Sequence, residues 1–498
     1  MSESYAVLLV AVPILGSIVP LAGSLWHDRL GWPVAVGVSL AHLALAAGLA
    51  VEVFAAGTVV YELGGFEPPF GIVLVVDGIS ALVALLVGVV SAGVLAYARR
   101  AGPRGNSFYS LYLLLLAGLS GMTVTGDAFN LYVFLEITGL AAYALVATGD
   151  HGGAAVAALK YLIIGTVGAS LYLLGVGYAF VATGTLNMAD LAEKLAAVGY
   201  TSPLVLASFA LVTVGFAVKV ALFPLHTWQP DAYAEAPISV SVLISALVST
   251  VAAYALARLV LSVYTVEFFA AVPTARTMLV GAAAISVVAG SVLAVSQTDI
   301  QRMLAYSSVS QFGLIVAAVG IANRAALVGA VVHLVGHAVM KGGLFATAGV
   351  VERTTGARSV DEYAGLAERA PLAAGCFAVL ALAMVGVPPA VGFVGKWYIV
   401  VGAVEAQRWA VAAVLVVSTL LTLAYFARLV ERMYFTEPAV DVGEPAGGVP
   451  TVPDGGRSVS TGMVAVVVAA TVLAATLGFA ASGIEALLEP TLAALGVI

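Results

Sequence analysis

Apolar stretches long enough to cross a hydrocarbon core, roughly 20 residues each, recur from one end of this chain to the other. They lie near 4–26, 32–55, 72–99, 106–123, 127–147, 153–183, 202–225, 237–263, 273–296, 301–321, 325–350, 371–402, 408–435 and 460–482, about 14 in all. Of the 498 residues, 62% are hydrophobic and only 9% charged, far from the make-up of a soluble domain. The expected fold is therefore an all-α polytopic membrane protein, with connections too short to house a soluble domain. The first stretch follows MSESY directly and has no basic region before it, so it reads as a permanent span and not a cleaved signal.

Basic residues set the expected orientation. With the N-terminus outside, alternation puts Arg29, Arg99, Arg100, Arg104, Arg302, Arg353, Arg358, Arg369, Arg428, Arg432 and Arg457 inside. Only Lys194, Arg258, Arg276, Arg324 and Arg408 fall outside, and both termini are expected to face out.

Other functions are excluded more simply. A single cysteine, Cys376, allows no intrachain disulfide and no multi-cysteine iron–sulfur or zinc site, and reads as a small core residue. The formal net charge of -7 leaves no basic stripe for nucleic acid. The acidic loop 438–454 hints at a high-salt habitat. No nucleotide loop, metal-ligand set or nucleophile–base spacing is present, so no cofactor and no metal are expected.

The charges that remain are oddly placed. Of five lysines, Lys160, Lys219, Lys341 and Lys396 lie within apolar spans, while the loops use arginine almost exclusively. An ionisable group at bilayer depth is expensive and marks a functional site by default. Lysine can give up its proton when buried, whereas arginine stays charged. A path that must be protonated and deprotonated therefore favours lysine.

In GFAVKVALFPLHTWQPDAYAEAP, residues 215–237, Lys219 precedes a helix interruption at Pro224. In VGVPPAVGFVGKWYIV, residues 385–400, Pro388 and Pro389 precede Lys396. Proline frees backbone groups that survive in a membrane only where protein or water satisfies them, and paired breaks in two halves of a transporter point to its ion site. Glu136 lies well inside its span, and an adjacent ammonium would keep it ionised. The expectation is that it faces Lys219; a static buried ion pair is the alternative. His333, His337 and Lys341 are spaced four apart and share one helical face. The residues between the histidines include no glutamate and no further ligands lie near, which argues against zinc. Either they are core histidines bonded across helices, or they relay protons, with Tyr306, Ser307, Ser308, Ser310 and Gln311 lining the route.

Six segments together resemble a known family: FNLYVFLEITGLAAYALVA, ALKYLIIGTVGASLYLLGVGY, KVALFPLHTWQPDAYAEAP, DIQRMLAYSSVSQFGLI, HLVGHAVMKGGLF and GVPPAVGFVGKW. They are similar to the proton-translocating antiporter-like subunits shared by Mrp-type sodium/proton antiporters, membrane-bound hydrogenases and respiratory complex I. The length, the DAYAEAP loop and the lack of a long lateral helix bring the chain nearest to the D-type subunits of Mrp complexes. The resemblance implies 14 helices with two inverted five-helix repeats, spans 4–8 and 9–13, each with a broken helix. The implied division is 1–105 for helices 1–3, 106–263 and 273–435 for the repeats, and 436–498 for a loop and helix 14.

The resemblance also implies roles. Glu136 and Lys219 match the family's paired glutamate and lysine, His333, His337 and Lys341 its connecting residues, and Lys396 its terminal lysine. Lys160 receives no distinct role and could equally reach the cytoplasmic interface by snorkelling. One departure stands out: where relatives commonly carry a lysine in a segment like LLTKVGVYA, this chain reads LVSTVAAYA, with Thr250. A threonine cannot exchange a proton here but can hold a water. Passage between Lys219 and His333 would then depend on water and on Ser245, Ser249 and Tyr254.

The function implied is proton translocation in a multisubunit sodium/proton antiporter in a prokaryotic plasma membrane, with other hydrophobic subunits as partners. The same fold in the membrane arm of a redox complex, and a non-conducting scaffold, are the competing classes. The buried lysines speak against the scaffold. No cluster of intramembrane carboxylates offers a sodium cage; Asp77, Asp127, Asp231 and Glu235 lie at span ends or in loops.

Overall fold

In the computed structural model, residues 3–27, 29–437 and 458–497 are described; Arg457 and the acidic stretch 438–454 lie outside the described residues. Among these, 13 helices are long and apolar enough to cross a membrane. A further span is split into Pro371–Val385 and Val391–Glu405. The chain is a multi-pass membrane protein.

Helix starts follow local chemistry. Asp127, Asp299 and Asn323 each accept a hydrogen bond from a first-turn amide, capping Ala128–Val146, Ile300–Ile321 and Arg324–Thr355. Two successive sets of five spans then match in plan. In each, the third helix has 32 residues, Gly152–Thr183 and Arg324–Thr355, and packs along the broken fourth. The fifth span of the first set, Ile238–Ala271, is interrupted by π-helical turns at Ile244–Val248 and Leu259–Tyr264. The Arg324–Thr355 helix is buried almost throughout and lies against both sets.

The fold is nearly all helical; its one sheet among the described residues is an antiparallel hairpin of Val59–Glu62 and Val73–Val76. Several boundaries differ from the expectation. β-branched, glycine-punctuated sequence too short to span forms this hairpin instead of extending the third helix, which begins at Gly78 and not near 72. Residues 188–198, expected from the sequence as a connection, form the amphipathic helix Met188–Val198. The last helix runs on past 482, through a 3-10 step at Leu477–Ala480, to Ala494. Its end folds over the bundle, where Thr491 Oγ1 accepts from the Gly78 amide and Glu485 and Glu489 pair with Arg324. Arg258, which the sequence places within the 237–263 stretch, is buried in the Ile238–Ala271 span.

Candidate functional site

The Pro203–Val220 helix ends at Ala221, whose φ of 63° is left-handed, and the Leu222 amide closes the turn on the Ala217 carbonyl at 2.8 Å. Two side chains take up backbone groups freed by the break. Ser286 Oγ accepts from the Phe223 amide at 3.0 Å, and Trp228 Nε1 donates to the Val218 carbonyl at 2.9 Å. The Trp228 ring is stacked on Tyr161 at 4.0 Å, so the break is pinned from two neighbouring helices. With its carbonyls thus occupied, the break leaves the Lys219 ammonium free to turn elsewhere.

It turns toward the Ala128–Val146 helix. Lys219 Nζ lies 3.5 Å from Glu136 Oε1 and 3.1 Å from the Tyr143 hydroxyl. Lys219 is only 7% exposed, and Glu136 is 20% exposed. Charge-assisted bonds usually measure about 2.7–2.9 Å, so this pair is loose. Glycines make the room: a Cβ at Gly165 would fall 2.0 Å from the Tyr143 oxygen, and one at Gly139 would fall 2.8 Å from it.

The second break repeats the turn and reverses the roles. Gly386 has φ 101°, and the Val387 amide closes on the Leu382 carbonyl at 3.1 Å. Here the lysine itself satisfies the freed carbonyls: Lys396 Nζ donates to Met384 O at 2.8 Å and Val385 O at 3.1 Å. An ammonium at a helix C-terminus is favoured by the helix dipole. No carboxylate lies within ion-pair distance of Lys396 or Lys341 among the described residues.

Between the breaks, His333, His337 and Lys341 are fully buried on one face of Arg324–Thr355. Lys341 Nζ donates to Ser307 Oγ at 2.8 Å and to the Leu304 carbonyl at 2.9 Å. His333 Nε2 and Gln311 Oε1 are 2.9 Å apart. The His337 ring packs on Phe312, and neither of its nitrogens has a protein partner among the described residues. Thr250 Oγ1 is likewise buried and unpartnered. Groups this deep are ordinarily satisfied by water when not by protein.

Of the polar side chains expected to line the route, the Ser307 hydroxyl and the Gln311 amide meet relay residues. Ser308 bonds only back to its own helix, Ser310 pairs with Ser291, and Ser245 bonds within its own turn. Ser249 belongs to a buried group with Gln229 and Tyr233. Tyr254 reaches away from His333, bonding Ser80 Oγ at 2.8 Å and the Thr123 carbonyl at 2.9 Å. Lys160 meets Asp231 Oδ2 at 2.6 Å, and Arg302 meets Oδ1 at 2.9 Å. Asp231 sits in the short helix Gln229–Glu235, not in a loop.

Sequence reasoning missed Tyr143, Trp228, Ser286 and Arg258. Tyr143 was visible at seven residues, two helical turns, from Glu136. Arg258 was visible as a charge within the apolar stretch 237–263, whereas Trp228 and Ser286 depend on contacts across helices and left no local signal. At the opposite end of the bundle from the hairpin, a cavity of about 580 Å³ is bordered by Arg100, Arg104, Asp150, His151, Glu235 and Glu352.

Comparison with known proteins adds a lineage to this geometry. Residues 125–422 match the family described as NADH:quinone oxidoreductase/Mrp antiporter, TM. The chain is 44% identical over 445 residues to the N-type subunit of the NADH-quinone oxidoreductase of Desulforudis audaxviator, covering 87% of each chain. It is 36% identical over 379 residues to the D-type subunit of the Na(+)/H(+) antiporter of Alkalihalophilus pseudofirmus, covering 75% of this chain and 76% of the relative. Among solved structures, a chain of the Mrp complex from Dietzia superposes with a TM-score of 0.86 at 27% identity, covering 100% of this chain and 99% of that one.

Proposed function

Because this chain belongs to the membrane-subunit family of NADH:quinone oxidoreductases and Mrp antiporters, we propose that it carries protons across the membrane as one subunit of a multisubunit complex. The observation that carries the reading is the loose contact of Lys219 with Glu136 at a helix break. Lys219 is buried and Glu136 partly so, both within spans, and Tyr143 shares the ammonium. A tight pair would hold two helices; a loose one can be broken and remade as charge changes beside it.

In this reading a proton arriving near Glu136 and Lys219 changes their attraction and so biases the next group along. Lys341, His337, His333 and Lys396 continue the route toward the second break. Water joins them at the unpartnered nitrogens of His337 and the Thr250 hydroxyl. Loss of a proton from Lys396 would remove the charge that strengthens its bonds to the Met384 and Val385 carbonyls, which ties protonation to the state of the break. The two five-helix sets are read as inverted repeats, 106–263 and 273–435, and both termini as outside.

We assign the complex first to a cation/proton antiporter, with sodium handled at the level of the whole assembly. The 44% identity to a subunit of a quinone-reducing enzyme favours the second reading, a proton-pumping arm driven by electron transfer. Tagging the chain in its host and identifying what co-purifies separates the two: only small hydrophobic subunits support the antiporter, and iron–sulfur or flavin subunits support the redox arm. Proton carriage itself is tested with Glu136→Ala and Lys219→Ala. Either should abolish transport in vesicles while the complex still assembles; transport at the parent rate by an assembled variant sinks the reading.

A further inference from the structure

Arg258 is a buried cation that the proton route does not use. It lies eight residues beyond Thr250 on the same helix, about 12 Å along the axis, and is 9% exposed. Among the described residues its guanidinium is held by neutral acceptors alone. NH1 donates to the Tyr254 hydroxyl at 2.7 Å, the Thr123 carbonyl at 3.0 Å and Ser80 Oγ at 3.3 Å, and NH2 donates to the Val75 carbonyl at 2.9 Å. None of the described carboxylates lies within ion-pair distance; Asp77 is reached only through Ser80, whose amide and hydroxyl it accepts. An arginine so placed keeps its charge at any working pH and cannot hand on a proton.

The surroundings close the same end. Strand Val73–Val76 of the hairpin lies over the guanidinium, and the Gly78 amide next to Asp77 is capped by Thr491 of the terminal segment. Beside Tyr254 is a cavity of about 30 Å³ lined by apolar side chains of the third helix and of both five-helix sets, including Val83, Leu261, Ile315, Val319 and Leu334. A cavity without polar partners stays dry. The outer end of the first set is thus sealed by a fixed positive charge on one side and by dry apolar packing on the other.

We propose that Arg258 is an electrostatic barrier that stops protons escaping outward from the Lys219 and Thr250 region, so that they pass sideways to Lys341. This rests on the proton-carrying reading above. A fixed arginine charge is a known way for a protein to exclude protons and other cations from a pathway.

The test is passive proton leak in vesicles holding the intact complex, read with a trapped pH dye after a pH jump, with membrane potential clamped and no driving substrate. Arg258→Met should raise the leak severalfold, and Arg258→Lys, which keeps a cation, should leave it far lower than the Met variant. Ser80→Asp keeps the guanidinium and its other bonds but places a carboxylate against it, so it too should leak, which covers the case that Arg258→Met does not assemble. An unchanged leak in assembled Ser80→Asp or Arg258→Met overturns the barrier. A leak in Arg258→Lys equal to that in Arg258→Met also overturns it, because that outcome marks lost packing and not lost charge. Driven transport is measured on the same vesicles: if it is absent in the parent, the proton-carrying reading fails, whereas a leak change without it still reports on Arg258.

Discussion

Lys219 is nearer to the hydroxyl of Tyr143, at 3.1 Å, than to either oxygen of its charged partner Glu136, the nearer of which lies at 3.5 Å. The phenol therefore holds the ammonium in place while the carboxylate attracts it. Tyr143→Phe removes a hydrogen bond to a charged group, about 1.5–3 kcal/mol. The expected result is transport slowed on the order of tenfold or more, with assembly intact, in a vesicle assay. Gly165→Ala should act through the same phenol, since its Cβ would lie 2.0 Å from the oxygen. Overpacking of this kind destabilises by about 1–3 kcal/mol, so this variant is expected to lower both thermal stability and transport.

Thr250 is fully buried, and its hydroxyl has no partner among the described residues. Thr250→Val removes that hydroxyl with little change in shape. If the hydroxyl holds a water on the route, transport falls while stability is unchanged; a rise in stability with full transport would mean that the position is packed dry. Thr250→Lys is expected to assemble and to transport at least as well as the parent.

Asp231 joins Lys160 and Arg302 at 2.6 and 2.9 Å, with all three side chains between a quarter and two fifths exposed. Exposed pairs contribute about 0.2–1 kcal/mol each, so Asp231→Asn should lower stability by about 1 kcal/mol. Lys160→Met should do less and leave the pH dependence of transport unaltered. A shifted pH profile in Lys160→Met would bring that lysine into the proton route.

Glu362 accepts from the amides of Arg358 at 2.7 Å and Ser359 at 2.8 Å, and these bonds hold its carboxyl below the usual carboxylate value. A lowered folded-state value stabilises above the unfolded one and is lost as pH falls through the lowered one. The connection at 356–365 should stay protected from proteolysis at neutral pH and open only in acid. Glu362→Gln should expose it at neutral pH.

The broken helices show how far local sequence reached. Pro224 and the pair Pro388 and Pro389 announced both interruptions, because proline acts on its own backbone. The lysines announced depth, because each sits in an apolar run. Which group satisfies each break did not show: Ser286 and Trp228 serve the first, and Lys396 serves the second. These partners lie 10 to 63 residues away along the chain, and only packing brings them near. The sequence placed Arg258 within an apolar stretch but could not show its acceptors, since the backbone carbonyls of Val75 and Thr123 that receive it belong to other elements.

The sequence by itself determined the membrane class, the order of the spans, both breaks and the placing of lysines and histidines within apolar runs, because each follows from composition or from a residue's effect on its own neighbours. Tertiary structure decided which cations are paired tightly, loosely or with neutral acceptors only. That choice separates the Lys160 cluster from the Lys219 site and both from Arg258. It rests on distances of a few tenths of an ångström between helices far apart in the chain, which no local pattern specifies.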